Sequence, residues 1–252
     1  MKKYLVVSML AAISLAGASC NRLHADSQGT EVLPQVQSQT IEFSQDNPMP
    51  ASLSAESILP GLNDDLNQAE ADGLLFMFEE EKLAYDLYIA FYEEWGLPVF
   101  QNIASGELIH KNAVASLLEK FGLPDPSESK PAGVFTNTML QDLYNQLLSK
   151  GKQSVSNALK VGASVEEIDI LDLQERLLQT DEPDINRVYK NLELGSRNHL
   201  RSFVSVLQNQ TGEVYQPGYL STEDYQQIIS GMVEIGGQGQ PGGNGLGGPR
   251  NK

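Results

Sequence analysis

The chain has 252 residues, enough for one substantial core with extensions or for two small domains. It carries 17 Lys and Arg against 33 Asp and Glu, a formal net charge of -16. This argues against nucleic acid or anionic lipid headgroups as principal partners, and it fits a soluble protein or one that attracts cations. Cys20 is the only cysteine, which excludes a disulfide framework, a thiolate metal cluster and a rubredoxin-like centre. Any metal held by the folded part of the chain must therefore be bound by oxygen and nitrogen.

The N-terminus reads as an export signal. Lys2 and Lys3 form a charged start, and Leu5 to Leu15 is an apolar run too short to span a bilayer. Leu15-Ala16-Gly17-Ala18-Ser19-Cys20 resembles the lipobox of bacterial lipoproteins, with Gly17 where that box usually has Leu; Ala16-x-Ala18 also offers an ordinary cleavage site. The resemblance implies a signal peptide over 1–19, lipidation of Cys20 and a membrane-anchored place in the cell envelope, facing the periplasm or the surface. Residues 20–65 are rich in Ser, Gln, Asn and Pro and read as a flexible tether, which contains His24. A helical domain is expected over 66–235, and the Gly-rich stretch 236–252 lacks the side chains to pack.

Within that domain the first helix spans about Ala69 to Trp95, with Leu74, Phe78, Glu81, Tyr85 and Tyr88 recurring at three and four, and Gly96-Leu97-Pro98 stops it. The second runs from about Val99 to Phe121, its stripe formed by Ile103, Glu107, His110, Val114, Leu117 and Phe121. A long connection over 122–153 opens as a Pro/Ser loop. It then holds a short helix with Met139, Leu140, Leu143, Tyr144, Leu147 and Leu148 on one face, closed by Gly151. The third main helix runs from about Ser154 to Gln179 and the fourth from about Asp184 to Gln210, with Pro183 where a first turn tolerates it. Ser221-Thr222-Glu223-Asp224 signals a short C-terminal helix through a capping-box-like start.

The tight turns make helices one and two antiparallel neighbours, and likewise three and four. A helix of about 24 residues is roughly 36 Å long, a distance that about a dozen extended residues cover. The middle connection can thus cross the whole bundle. The expected fold is all-α: a ferritin-like four-helix bundle with one long crossover between its second and third helices and a short C-terminal helix.

Glu107 and His110 stand three apart within one apolar stripe, so both point to one face of their helix. A buried carboxylate needs a partner, and lysine is scarce on these stripes. Glu81, Glu107, His110 and His199 occupy three separate helix faces, an arrangement that points to a metal. The third helix adds Glu166, Asp169 and Asp172, spaced by three, and Glu167 on a different face as the second choice. These acids read either as a solvated face or as further ligands. Tyr85 and Tyr88, one and two turns beyond Glu81, read as core aromatics or as relays for electrons or protons.

The stretch from about Leu74 to Phe203 resembles the ferritin-like superfamily, its rubrerythrin branch in particular. The similarity is carried by Glu81-x-x-Ala84-x-x-x-Tyr88, Glu107-x-x-His110, Glu166-x-x-Asp169 and Gly195-Ser196-Arg197-Asn198-His199. With Glu79-Glu80-Glu81-Lys82-Leu83-Ala84 and Trp95-Gly96-Leu97-Pro98, it looks closer still to a bacterial and archaeal ferritin-like family known as a domain of unknown function. The resemblance implies metal ligands at Glu81, Glu107, His110, Glu166, Asp169 and His199, holding two iron ions, or manganese or zinc. The chemistry so implied is ferroxidase or reduction of peroxide or oxygen; the alternative is a metal-sequestering or scaffold lipoprotein without enzymatic activity. The implied partners are metal ions, an electron donor, the membrane through the lipid anchor, and a second copy of the chain in a homodimer.

One position departs from the superfamily pattern, because Ser196-x-x-His199 stands where the last motif has E-x-x-H. Ser196 cannot bridge two metals as a carboxylate does. With Asp169 turned inward the site keeps four carboxylates and two histidines, a donor set suited to two divalent cations. With Asp169 turned outward the second metal is weakly held, and the site is mononuclear, zinc-bearing or empty.

Overall fold

The structure is a computed structural model that describes residues 66–234. The expected signal peptide, lipidation site Cys20, tether, His24 and Gly-rich tail lie outside the described residues. Six helices make up the rest: α1 (Gln68–Trp95), α2 (Pro98–Phe121), α3 (Thr138–Gly151), α4 (Val155–Leu177), α5 (Pro183–Thr211) and α6 (Thr222–Ser230). No strand occurs among the described residues, and none of the described helices is long and apolar enough to cross a membrane.

Local chemistry fixes the helix ends. Asn67 and Glu70 form a reciprocal capping box at the start of α1, Ser154 caps α4 and Ser221 caps α6. Pro98 and Pro183 take the first turns of α2 and α5, where a missing N–H costs nothing. Gly96 ends α1 at φ 66°, a left-handed conformation that glycine adopts without strain, and the two-residue turn sends α2 straight back along α1. The ends fall within one or two residues of those read from the sequence.

α1 packs along α2 and α4 packs along α5; the two hairpins meet through α1 with α4 and α2 with α5. The connection between them carries α3, which covers α1 and α4. α3 buries Leu140, Tyr144 and Leu147, while Met139, expected on the same face, is 67% exposed. At the first turn of the helix Met139 is turned to solvent, and the face that docks is carried by positions 140, 144 and 147. Glu79 of α1 anchors the crossover by accepting the N–H groups of Thr136 and Asn137. Lys82 and Asp86 pair and hold Pro131 O and Gly133 N.

The apolar interior is divided in two. One cluster gathers Leu83, Leu87 and Phe91 of α1 with Phe100, Ile103, Leu159, Leu200 and Phe203; the other gathers Leu74, Met77 and Phe78 with Val114, Leu117, Leu173, Ile185 and Leu192. On every main helix the change from one cluster to the other falls at the same level. That level is where the acids and histidines singled out in the sequence lie.

Glu167, the second-choice acid, is fully buried but faces away from that level. Its carboxylate accepts the backbone N–H groups of Gly218, Tyr219 and Leu220 and so pins the segment leading into α6. Glu167→Ala leaves these donors without their acceptor and is expected to cost about 3 kcal/mol, a fall in Tm of roughly 6–12 °C. Thermal denaturation followed by circular dichroism measures this; an unchanged Tm would show that the segment is held by other contacts.

Candidate metal centre

All six residues read as ligands from the sequence converge at the level between the two apolar clusters. Glu81 comes from α1, Glu107 and His110 from α2, Glu166 and Asp169 from α4, and His199 from α5. The four carboxylate residues are 1–6% exposed, and the two imidazoles are 12% and 16% exposed. The histidine rings therefore form the side of the cluster nearest solvent. Their centroids lie 5.4 Å apart.

Glu107 stands between the two rings. Its Oε2 is 2.8 Å from His110 Nδ1 and its Oε1 is 2.7 Å from His199 Nδ1. The first contact is a hydrogen bond, whereas the second lacks hydrogen-bond geometry and leaves both atoms without a partner. Each Nδ1 also faces a second acid: Glu81 Oε2 at 3.4 Å from His110 and Glu166 Oε2 at 3.5 Å from His199. Glu107, His110 and His199 offer ligand atoms all within 4.8 Å of one another.

Asp169 points inward, 6% exposed. Ser196, fully buried on α5, donates to Asp169 Oδ2 and also lies 2.9 Å from the Leu192 carbonyl. The serine found in place of a glutamate thus orients a carboxylate supplied by α4. Tyr88 donates to Glu166 Oε1 at 2.6 Å and orients it in the same way. Tyr85 is only half-buried and lies under Lys111 at the surface.

Burial and mutual repulsion set the electrostatics. Burial raises Glu81 well above the usual carboxylate range, and Asp169 adds to the rise. Glu166 is pushed up to about 7 by burial and by Glu107. Asp169 is pushed up to about 8 by burial, against the Ser196 hydrogen bond. Burial also acts to raise Glu107, but His199 and His110 overcome it and hold this one carboxylate below its ordinary value. Burial acts to lower His199, yet Glu107 and Glu166 lift it to about 10.

Glu80 is an acid that sequence periodicity did not single out. It is 4% exposed, and burial with the charges of Asp172 and Asp169 raises it well above the usual range. Its signal was the unbroken run Glu79-Glu80-Glu81, whose members face three different neighbours because successive helical residues turn by about 100°. Asp172, spaced with Glu166 and Asp169, is half-buried beside Glu80.

Five buried atoms at this level have no hydrogen-bond partner: Glu80 Oε2, Glu81 Oε1, Glu107 Oε1, Asp169 Oδ1 and His199 Nδ1, at least one from each main helix. Among the described residues, Lys82, paired with Asp86, is the only buried Lys or Arg. Oxygen and imidazole donors that converge without a lysine or arginine fit a divalent metal of the iron, manganese or zinc type.

Residues 70–232 match the family model described as an uncharacterized protein domain, DUF2202. The chain is 47% identical over 171 residues to the uncharacterized protein MJ0754 of Methanocaldococcus jannaschii, covering 68% of this chain and 92% of the relative. It is also similar to the crystal structure of hypothetical protein MJ0754 from Methanococcus jannaschii, with a TM-score of 0.65 and 46% identity over 70% of this chain and 99% of that one.

Glu166, Asp169 and His199 hold more protons in the folded state than in the unfolded state between about pH 5 and 9. Stability of the metal-free domain therefore falls as pH rises through this window. Thermal melts in the presence of a chelator are expected to show Tm decreasing steadily from pH 5 to pH 9. A Tm that rises over this range would contradict the electrostatics described above.

Proposed function

We propose, from the premise that this chain belongs to the DUF2202 family, that its bundle binds two divalent cations, iron first among them, at a carboxylate–histidine centre. Glu81 and His110 would hold one metal, Glu166, Asp169 and His199 the other, with Glu107 shared between them. The observation that carries this reading is the set of unpartnered buried atoms, drawn from all four main helices, around a carboxylate caught between two imidazoles. Burial without a partner is costly, and bound cations would give these atoms partners.

Bound iron would supply one-electron redox chemistry with ferrous iron, oxygen or peroxide. The contribution of the chain is to orient and to exclude water. Tyr88 fixes Glu166, Ser196 fixes Asp169, and the apolar clusters on either side keep solvent from the carboxylates. This sequence has one cysteine, Cys20, and so no rubredoxin-like centre of its own; electrons would come from the substrate itself or from a separate donor protein.

Anaerobic loading with ferrous iron is expected to give about two irons per chain, lost in Glu107→Ala, with oxidation on adding oxygen or peroxide. Saturable binding without redox turnover would instead identify a sequestering module, the reading that Ser196 favours by removing one bridging carboxylate. Failure to bind any metal, with Tm unchanged on adding it, would leave an interaction scaffold.

The export reading is part of the same proposal and rests on Lys2, Lys3, the apolar run after them and Cys20. Full-length protein expressed in a bacterium is expected in the membrane fraction and labelled by radioactive palmitate, and Cys20→Ser should abolish the label and release the protein. Equal fractionation of the two forms would remove the lipid anchor.

A further inference from the structure

Two mid-helix glycines stand where a side chain would strike the histidines. A Cβ built on Gly106 of α2 lies 2.7 Å from Nε2 and 2.9 Å from Cε1 of His199, which belongs to α5. A Cβ built on Gly195 of α5 meets His110 of α2 closer still, 2.6 Å from Cε1. The relation is reciprocal: each glycine stands four residues before the histidine of its own helix and seats the histidine of the other. Neither glycine is required by backbone conformation, since neither has a positive φ. Glycine is a poor helix former, so the reason for it at both places is room.

The seating has a chemical consequence. With the Nε2–Cε1 edge of each ring resting against the backbone of the opposite helix, Nδ1 of both rings turns inward to Glu107, at 2.8 Å and 2.7 Å. A methyl group under that edge forces the ring to tilt or to rotate, and either movement takes Nδ1 away from Glu107. We propose that Gly106 and Gly195 are positioning residues that seat the two imidazoles across the α2–α5 seam, so that Nδ1 of both coordinates the metal. The proposal rests on the metal reading above and deepens it, because it names which nitrogen binds and what makes it bind.

Zinc is a diamagnetic probe suited to the test. In the zinc-loaded full chain, long-range ¹H–¹⁵N correlation spectra assign the coordinating nitrogen of each histidine, and calorimetry gives the affinity. Nδ1 coordination by both rings is expected in the wild type. Gly106→Ala should disturb His199, Gly195→Ala should disturb His110, and each should weaken zinc by roughly 10–100-fold.

Gly151→Ala serves as the structural control, because a Cβ there strikes the Phe91 ring, ten residues beyond Glu81 along α1. It should lower the Tm of the metal-free protein and leave zinc affinity and the coordinating nitrogens unchanged. Should Gly106→Ala not fold alone, the Gly106→Ala/His199→Ala pair decides the point. Recovery of the fold supports the ring–glycine contact, and continued misfolding overturns it.

Nε2 coordination in the wild type overturns the proposal. So does Nδ1 coordination with wild-type affinity in both alanine variants, while the metal reading stands. A wild type that takes up neither zinc nor iron removes the metal reading and this proposal with it.

Discussion

Burying Glu80, Glu81, Glu107, Glu166 and Asp169 in one layer, with only two imidazoles among them as cationic groups, is the constraint around which this structure is arranged. Charges removed from water repel one another strongly in a medium of low dielectric constant. The layer cannot contribute much to stability by itself. The two apolar clusters on either side must hold four helices in register, and every main helix passes through both of them. The cores also keep water from relaxing the repulsion, which is why Glu166 and Asp169 shift upward; the imidazoles rise because the neighbouring carboxylates outweigh their burial. Glu107 is the exception, held ionised between two rings, and it is the pivot of the layer.

Burial alone does not mark an acid as part of the site. Glu79 is as buried as Glu81, yet its oxygens accept two backbone N–H groups of the crossover. Glu167 is more buried than either and accepts three. Asp86 answers Lys82. These carboxylates act as staples, joining loops to the bundle where backbone donors would otherwise be unsatisfied. Glu80, Glu81, Glu107 and Asp169 each keep an oxygen with no donor. The distinction that matters for function is whether a buried acid has its partner within the chain.

Much of this was legible in the sequence. The 3.6-residue recurrence placed Glu81, Glu107 and His110 in buried stripes, the Gly-Leu-Pro turn made α1 and α2 antiparallel, and the long connection permitted the crossover. Glu80 was missed because it lies off the stripe through Glu81 and is covered by α4, a neighbour that periodicity along α1 does not reveal. Met139 was placed on the buried face of α3 because apolar character was read as burial. Glu167 falls on a different face from Glu166 and Asp169, and the loop it pins is remote in sequence, 51 residues away at Gly218.

Composition and spacing by themselves determined the helical class, the antiparallel pairs and the shared face of Glu107 and His110, because these depend on interactions within a few turns of one helix. Tertiary structure alone decided that Asp169 turns inward, that Ser196 holds it, that Tyr88 holds Glu166, and that two glycines seat the histidines of the opposite helix. These are contacts between different helices. They depend on the rotation of each helix about its own axis, which is set by how side chains interlock across the two cores and not by any repeat along a single strand of sequence.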